Sequence, residues 1–422
     1  MADSNIYQNV ALYQESMLPL LENLDPFYML SNKKFEHFNE NTYSYGATVT
    51  FDLPSRVRVQ NGLVASFPPV EQRSFPLSVT QAKNGSYVVS DDNHVLYHQQ
   101  EWAQRFGRSF VYEMGTQVGQ DIATVAETNT YRTYGDGVTA INSVQQVAQM
   151  LTDLRNYGAA NTRAKVIFPD VKVPAIINNG LEQFVSKRND EFANSWELGS
   201  WLNADFYTSN LLPTHQSGTA GYNQDDLFIE GINAAGDQLV ISGITVDTAA
   251  FLQNDIITFD PDKLFTGVTS GGPGAKWLTF IGHTPSAQSV QVRVTDVQVD
   301  AVAGTATVNI YPALNSTAGD GNENVNFDIT TITNLNPIPA KAVQSHVCGL
   351  IYTGEPLYCA MPRLPEKTPF PSASAMSDTG VSMRLSYGSI FDQGQMGWIY
   401  DMIYGYTLVP EYAMRVAFPI NS

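Results

Sequence analysis

The chain has 422 residues, of which 43% are hydrophobic, so it can bury a sizeable core and should form two or three domains of roughly 100–200 residues each. Its 23 Lys and Arg residues stand against 41 Asp and Glu residues, a formal net charge of −18. Phosphate backbones and anionic membranes repel so acidic a chain, which excludes nucleic-acid binding driven by overall charge. Only 15% of the residues are charged, a composition that favours short strands and long loops over coiled coils.

Two cysteines, Cys348 and Cys359, are too few for a disulfide framework, and their spacing matches no zinc or thioredoxin motif. We expect both to be buried thiols of a protein made in a reducing compartment. The N-terminus lacks the basic and apolar regions of a signal peptide, and no run of about 18 apolar residues predicts a transmembrane helix. These features predict a soluble protein that is made in the cytoplasm.

The first part of the chain predicts an arm followed by a projecting hairpin. Residues 1–43 have no sustained period and are typical of an arm that packs on another surface. From Gly46, two alternating runs, GATVTFDLPSRVRVQNG and SFPLSVTQAKNGSYVVSDD, predict a long β-hairpin. Basic residues flank it and fit a projecting loop better than a core; they are Arg56, Arg58, Arg73 and Lys83.

A helical period replaces the alternation after residue 98. Apolar residues recur at steps of three and four and predict one stripe on a helix of about 28 residues, roughly 40 Å long. The stripe comprises Trp102, Phe106, Phe110, Met114, Val118, Ile122 and Val125. We expect this stripe to be structural core rather than a binding site.

A second amphipathic helix is predicted after the turn TYGDG, with Gly158 at its C-terminal cap. Its inward positions are Ile141, Val144, Val147, Ala148, Leu151 and Leu154. A strand, AKVIFPD, and a helix, VPAIINNGLEQFV, follow it, and this α/β character ends near WELGSWLNADFYTSNLLPTHQSG.

Residues 225–335 differ in kind from the rest, because short strand-like runs follow one another closely. Alternation over Val290, Val292 and Val294, continuing through Val297 and Val299, predicts a small antiparallel barrel or sandwich. This stretch holds 13 acidic and three basic residues, so it contributes −10 of the net charge of −18. A separate β module is therefore predicted inside an α/β domain. After it, the chain returns to its host and ends in a strand pair over VSMRLSYGSIFDQGQMGWIYDMIYGYTLVPEYAMRVAFP.

No residue pattern makes a case for catalysis or for a cofactor. His94 and His98 are four apart but lack the HEXXH motif, so solvated or capping histidines are the better interpretation. The loop GVTSGGPGAK around Gly271 lacks the ending of a phosphate-binding loop, and its Gly267-x-Thr269-x-Gly271 spacing has no doubly wound sheet around it. The acidic pairs Asp225 with Asp226, and Asp260 with Asp262, lack the calcium-loop pattern.

The order of these parts resembles the tailed-phage major capsid proteins of the Hong Kong 97-type fold. VTFDLPSRVRVQNG followed by FPPVEQRSFPLSV is similar to the extended-loop signature of the podovirus coat-protein branch. ELGSWLNADFYTSNLLPTHQSG resembles the strand and turn before the insertion in that branch, and MRLSYGSIFDQGQMGWIYDMIYGYTLVPEYAMRVAF resembles its closing strands. The resemblance covers essentially the whole chain.

The resemblance implies an α+β fold with an inserted all-β barrel domain. It assigns an N-terminal arm to 1–43, an extended loop to 44–97, a peripheral domain with the spine helix to 98–134, an axial domain to 135–224 and 336–422, and the insertion, which would match a telokin-like domain, to 225–335.

It further implies a structural protein of the virion capsid, without cofactor or metal, that assembles in the bacterial host cytoplasm. Hexamers and pentamers of this chain would form an icosahedral shell around double-stranded DNA, without sequence-specific DNA binding, by way of a procapsid that matures. A separate scaffolding protein and a portal protein are implied partners, and a decoration protein is compatible with the resemblance.

Two hypotheses concern charges in such a shell. Arg56, Arg58 and Arg73 are candidates for pairing with acidic residues of the next subunit, and the competing interpretation is solvated arginines on a sheet face. The carboxylates of the insertion would face outward or across contacts between capsomers, where they help folding or set curvature.

Two other classes of protein remain as alternatives. A β-rich virion surface or adhesion protein that binds carbohydrate would suit the Gly, Asn and aromatic content, but it explains the long helix and the α/β section poorly. An unrecognised hydrolase is the third interpretation, for which no triad or metal set emerges.

Overall fold

A computed structural model of the chain describes residues 26–33, 46, 48–53, 73–90, 108–158, 162–176, 197–201, 203–221, 227–244, 249–260, 274–279, 282–300, 303–317, 322–366, 372–376, 380–390 and 395–420. These residues form an α+β fold that divides into two compact units. The first unit comprises Met1–Phe51, Ser74–Ala123 and Leu357–Leu408. The second unit comprises Asp52–Arg73, Thr124–Pro356 and Val409–Ser422.

The helices of the described part are α1 (Pro26–Leu30), α2 (Arg108–Ala123), α3 (Val125–Thr128), α4 (Val144–Asn156) and α5 (Val173–Ile176). The strands are β1 (Thr48–Leu53), β2 (Arg73–Ser78), β3 (Gln81–Ser90), β4 (Thr133–Tyr134), β5 (Ala164–Pro169), β6 (Glu197–Trp201), β7 (Ala204–Ser209), β8 (Thr214–His215), β9 (Leu227–Ile232), β10 (Gln238–Ser242), β11 (Ile256–Phe259), β12 (Lys276–Leu278), β13 (Pro285–Ser289), β14 (Gln291–Asp300), β15 (Thr305–Tyr311), β16 (Ile338–Ala342), β17 (His346–Thr353), β18 (Leu357–Ala360), β19 (Ser372–Met376), β20 (Ser382–Ile390), β21 (Gln395–Leu408) and β22 (Ala413–Pro419).

A five-stranded antiparallel sheet forms the centre of the first unit. Its order is β18-β21-β20-β19, and β3 pairs with β21 along ten residues. The predicted closing strand pair is therefore present as β20 and β21, whose register runs from Arg384 opposite Asp401 to Ile390 opposite Gln395. The long strand β21 holds this sheet together, since it pairs with three other strands.

The predicted hairpin is only partly a hairpin in the structure. β1 and β2 pair in a two-stranded sheet, as the alternation predicts. The second alternating run, however, forms two strands that separate at Val79 and Thr80, and β3 joins the five-stranded sheet. Local alternation could not show this division, because the partner β21 lies more than 300 residues further along the chain.

The helix predicted after residue 98 is described from Arg108 onward. α2 has 16 residues, and α3 begins at Val125 after a break at Thr124. The part of the prediction that covers residues 98–107 lies outside the described residues. One face of α2 is buried through Val111, Met114, Val118 and Ile122.

A mixed seven-stranded sheet lies in the second unit. Its order is β4-β22-β17-β5-β7-β6, with β8 paired to the end of β17. The strands β4 to β8 precede residue 216, whereas β17 and β22 follow residue 345, so two distant parts of the chain build one sheet. Parallel pairs (β4 with β22, β5 with β7) stand beside antiparallel ones, as expected of an α/β domain that has been interrupted.

Helix α4 covers this sheet and confirms the second amphipathic helix. Its N-cap Ser143 and Gln146 form a reciprocal capping box, and Gly158 follows the C-cap with φ +96°. The helix buries Val147, Met150, Leu151 and Leu154 against apolar residues of the sheet, among them Val166, Phe206 and Val416. Of the helix predicted over VPAIINNGLEQFV, α5 covers only the first four residues, and residues 177–185 lie outside the described part.

A closed six-stranded antiparallel barrel interrupts the seven-stranded sheet in sequence. Its order is β10-β15-β14-β11-β16, closed by β9. The core around the barrel is mainly aliphatic and also holds buried aromatic residues, among them Phe259, Phe327 and the fully buried Trp277. The last barrel strand, β16, lies beyond residue 335, where the sequence places the end of the β module.

The alternation predicted along β14 continues across a bulge. Val290, Val292 and Val294 are buried, and the register then shifts between Val294 and Asp296, so that Val297 and Val299 face the core in the opposite phase. A bulge adds one residue to a strand and so exchanges its two faces. This bulge explains why the valines of the sequence change from even to odd positions after Val294.

The predicted domain boundaries stay predictions, since each compact unit combines several separate segments of the chain and so does not correspond to the predicted domains one by one. Among the described residues, the helices are too short or too polar to span a membrane.

Candidate functional site

Of the four basic residues predicted at subunit contacts, only Lys83 has a described side chain. Arg56 and Arg58 lie outside the described residues, and Arg73 is described only as the first backbone position of β2. The Nζ atom of Lys83 lies 3.0 Å from Oδ2 of Asp121 on helix α2. Asp121 also accepts a hydrogen bond from the hydroxyl of Tyr404. Lys83 therefore has a partner within its own subunit.

The predicted stripe of the spine helix is described from Phe110 onward; Trp102 and Phe106 lie outside the described residues. The half-buried ring of Phe110 lies over the five-stranded sheet, with its centroid 4.9 Å from that of Tyr87 on β3. Met114 and Val118 are buried. The described part of the stripe thus contacts the sheet or is buried, and the assignment of the whole stripe to the core stays a prediction.

On the opposite face of the same sheet, the strand β3 and Ile399 of β21 are exposed, whereas the residues of β19 and β20 are mostly buried. Along β3 the residues Ala82, Asn84, Ser86 and Val88 are exposed and alternate with half-buried ones. Val88 is 53% exposed, and Ile399 on the neighbouring β21 is 37% exposed. This face is a candidate contact surface, since it combines apolar side chains with an accessible strand.

Most motifs screened for chemistry fall on residues that are not described. His94, His98, Gly267, Thr269 and the other residues of the loop around Gly271 up to 273 are among them, as are Asp225, Asp226 and Asp262. Asp260 is described: it is buried, and its Oδ2 lies 3.5 Å from Nζ of Lys341. Within the described ranges no three His, Cys, Asp or Glu residues come together as metal ligands would.

A buried ionic cluster in the second unit was not predicted. At its centre His215, 1% exposed at the end of β8, lies between two carboxylates. Its Nδ1 is 2.8 Å from Oε1 of Glu127 on α3, and its Nε2 is 2.7 Å from Oδ1 of Asp255, which directly precedes β11 of the barrel. The three residues thus connect a helix, the sheet and the barrel.

The second carboxylate oxygen of Asp255 is also hydrogen-bonded. Its Oδ2 accepts hydrogen bonds from the backbone N–H groups of Gly218, at 3.1 Å, and Leu252, at 2.7 Å. Gly218 is required here, because a Cβ at this position would lie 2.3 Å from the carbonyl oxygen of Ala250. The carboxylate therefore fixes the loop after β8, at Gly218, and the loop before β11, at Leu252. We call this part of the second unit the base of the barrel.

Arg415, in the middle of β22, is the second cation of the cluster and is fully buried. Its guanidinium donates to the backbone carbonyls of Ala126, at 3.0 Å, and of Glu127, and to the hydroxyl of Thr130 at 3.1 Å. Both carbonyls belong to α3, where a helix leaves its last carbonyls without partners. Arg415 thus caps α3 from the sheet.

The pKa values in the cluster follow from burial and from these partners. Burial alone would lower the pKa of His215, but its hydrogen bonds to Asp255 and Glu127 outweigh burial and raise it. Burial would raise the pKa of Glu127, and the hydrogen bond and charge of His215 lower it instead. Burial and the charge of Arg415 lower the pKa of the neighbouring His346 to about 3, so this imidazole is neutral.

The buried thiol of Cys348 on β17 borders the cluster but is not a nucleophile. Burial raises its pKa to about 11, so the thiolate is essentially unpopulated near neutral pH. Both ring nitrogens of His215 are already engaged by carboxylates, which leaves no base for the thiol. The cluster is therefore suited to holding helix α3, the sheet and the barrel together rather than to acid–base or thiol chemistry.

A second buried cation, Arg132, lies beside a group of tyrosines. It donates to the carbonyls of Glu411, at 2.8 Å, and Ala413, at 3.1 Å, and its guanidinium lies 4.1 Å from the ring centroid of Tyr157. The hydroxyls of Tyr157 and Tyr131 are 3.1 Å apart. These tyrosines border a cavity of about 260 Å³ that is lined mainly by Tyr311, Pro312, Ala313, Asn315, Asn322, Asn324 and Glu411.

One sequence signal could have located the ionic cluster. In AMRVAFP a single arginine stands in an apolar strand, and such a residue must be buried with polar partners. The stretch THQSG around His215 carries no comparable signal, because it is typical of an exposed turn.

Comparison with known proteins finds likeness in solved structures alone. No family model matches the chain, and no curated protein matches it. The capsid structure of Helicobacter pylori bacteriophage KHP30 is similar over 94% of this chain and 91% of that one, with 7% identity and a TM-score of 0.43. The capsid of Ralstonia phage GP4 is similar over 93% and 88%, with 7% identity and a TM-score of 0.43. The capsid of the cyanophage P-SCSP1u is similar over 95% and 87%, with 9% identity and a TM-score of 0.37. These three solved structures are phage capsids.

Proposed function

We propose that this chain is the major capsid protein of a tailed bacteriophage, a structural protein that builds an icosahedral shell around double-stranded DNA. One observation carries the proposal. A closed barrel, β9 to β16, interrupts a sheet whose strands come from both sides of it, as the sequence resemblance requires of an axial domain with an inserted β domain. A hairpin pair, a helix and closing strands stand in the chain order of the same architecture.

The remaining parts of the Hong Kong 97-type fold belong to this proposal. The N-terminal arm, the extended loop and the inserted domain would follow the boundaries predicted from the sequence, with the barrel continuing through β16. Hexamers and pentamers would first form a procapsid with the help of a separate scaffolding protein and would then mature; a portal protein would occupy one vertex, and a decoration protein could bind outside. Assembly would take place in the cytoplasm of the bacterial host.

The physical properties of the chain support a container for DNA. A shell of many copies has to form through individually weak contacts, which extended loops and open sheet faces supply over a large area. The solvent-exposed face around Val88 and Ile399 is one such surface. A net charge of −18 keeps the inner wall from binding phosphate, so that the genome can slide during packaging.

Electron microscopy of the protein, expressed with and without its neighbouring genes, tests the proposal. We expect closed, thin-walled shells of uniform size when the scaffold is present and aberrant spirals or sheets when it is missing. Sedimentation of the same samples should show a fast species in both cases. Small discrete particles at every concentration would overturn the proposal, and a trimer that binds glycans would favour the adhesion protein instead.

A further inference from the structure

His215 makes two hydrogen bonds that a neutral imidazole cannot make at once. Its Nδ1 and Nε2 lie 2.8 Å and 2.7 Å from oxygens of Glu127 and Asp255. A neutral imidazole carries one N–H and one lone pair, whereas the imidazolium carries two N–H donors. With both carboxylates ionised, only the imidazolium satisfies both contacts.

Among the charged groups that interact directly with His215, the charges balance only when it is protonated; Arg293 on β14, hydrogen-bonded to Asn254, interacts with Arg415. The groups that face it are Glu127 from α3, Asp255 from the base of the barrel, His346 and Cys348 from β17, and Arg415 from β22. His346 and Cys348 are neutral near pH 7, so two carboxylates stand against Arg415 and His215. Loss of the proton from His215 would leave one negative charge uncompensated in the interior, which is costly.

The contacts of His215 join α3, the sheet and the base of the barrel, beside the hydrogen bonds that Arg415 makes from β22 to α3 and to the carbonyl of Asn254. Glu127 lies in the four-residue helix α3, and Asp255 orders the loops around Gly218 and Leu252 at the base of the barrel. His215 itself pairs, on β8, with His346 on β17. Protonation of one side chain therefore affects the attachment of the barrel base to α3 and to the sheet.

We propose that His215 is a proton-dependent latch that fastens the base of the barrel to helix α3 and opens when its proton is lost. The latch is a property of this chain's own fold, and it stands whether or not the chain forms shells. The imidazolium holds the barrel base to α3 through two hydrogen bonds, and the neutral imidazole can donate only one of them.

The direction of the pH dependence follows from the two pKa shifts. Because the pKa of His215 is raised in the folded protein, its contribution is complete below the ordinary value of 6.5 and is lost as the pH rises through the raised value. Because the pKa of Glu127 is lowered, its contribution is lost only as the pH falls through that lowered value. The latch is closed between these two limits.

Two measurements on the full chain test the latch. The first is an NMR titration of ring-labelled histidine, which follows the six histidines of the chain, with the His215 signal assigned from a His215→Gln variant. We expect His215 to titrate above 6.5 in the wild type. A pKa at or below that value would overturn the proposal.

The second measurement is hydrogen exchange, corrected for the intrinsic effect of pH, across the residues around Glu127 and Asp255. We expect the opening equilibrium there to rise roughly tenfold per pH unit between 6.5 and the raised pKa of His215, and to level off above it. His215→Gln should show open-state exchange at every pH. His283→Asn is the matched control, since His283 is only partly buried, lies outside the cluster, and Asn tolerates its φ of 51°. Exchange without pH dependence in the wild type, or equal behaviour of the two variants, would contradict the latch.

Discussion

A Cβ atom at Gly85 of β3 would lie 3.0 Å from Cδ1 of Phe110 on helix α2, closer than such atoms normally approach. The absence of a side chain at Gly85 allows the aromatic stripe of the helix to lie directly on the strand. We expect Gly85→Val to destabilise the first unit by about 1–3 kcal/mol, because the larger side chain displaces the ring of Phe110. Urea unfolding of the purified chain measures this change.

The neighbouring position provides the control for this substitution. Ser86 is exposed on the other face of the same strand, so Ser86→Val should change the free energy of unfolding by no more than about 0.5 kcal/mol. In a Phe110→Leu background the cost of Gly85→Val should shrink, with a coupling of about 0.5–3 kcal/mol. Equal costs of Gly85→Val in the two backgrounds would show that Phe110 is not what Gly85 accommodates.

The carboxylate of Asp121 is expected to matter more than its salt-bridge partner. Lys83 contributes a partly exposed ion pair, so Lys83→Met should cost about 0.2–1 kcal/mol. Asp121→Ala also removes the acceptor of the buried Tyr404 hydroxyl, which adds about 1–3 kcal/mol. The double variant Asp121→Ala with Tyr404→Phe should recover part of that loss, and equal unfolding midpoints for it and Asp121→Ala would refute this account.

The predictability of the fold from sequence differed between local and distant relationships. The capped helix α4 and the alternation of β14, including its change of phase, could be predicted because each depends on neighbouring residues. The pairing of β3 with β21 could not, since a period of two identifies a strand but not its partner.

The ionic cluster was beyond sequence reasoning for a related reason. Glu127, His215, Asp255 and Arg415 come from four separate segments and meet only in the folded second unit. Each is unremarkable alone except Arg415, whose place in an apolar strand requires buried partners without identifying them. The sequence shows that a charged residue interrupts an apolar strand, but it does not show which distant residue balances that charge in the folded protein.

The hairpin arginines lead to a prediction about assembly. If Arg56 pairs with an acidic residue of the next subunit, Arg56→Glu should abolish shells and leave a folded monomer, because like charges then meet at the contact. Arg56→Lys keeps the charge and should still form shells. Electron microscopy together with circular dichroism separates failed assembly from failed folding, and normal shells from Arg56→Glu would exclude the pairing.

The carboxylates of the barrel lead to a second assembly prediction. Asp296 and Asp300 are exposed on the outer face of β14. Replacing both by Asn should alter particle size or shell stability while changing the stability of the isolated chain by no more than about 0.5 kcal/mol, since neither side chain is buried. Asp170→Asn removes an exposed charge outside the barrel and serves as control. Unchanged size and stability of the particles would count against a role of these charges in curvature.

The two cysteines report separately on the two compact units. Cys348 lies on the central strand β17 of the second unit, and Cys359 on the short strand β18 at one end of the sheet in the first. Burial raises their pKa values to about 11 and about 12, so neither should react with a thiol reagent near pH 8 until its strand opens.

Labelling of the variants Cys348→Ala and Cys359→Ala, each with one remaining thiol, isolates the two openings. At low denaturant concentration we expect Cys359 to react first, because a four-residue strand opens at a lower free energy than the centre of a seven-stranded sheet. Both should react fully after unfolding. Reaction of either thiol at the rate of a free cysteine in the native chain would contradict its burial, and earlier reaction of Cys348 would show that the second unit opens more easily than the first.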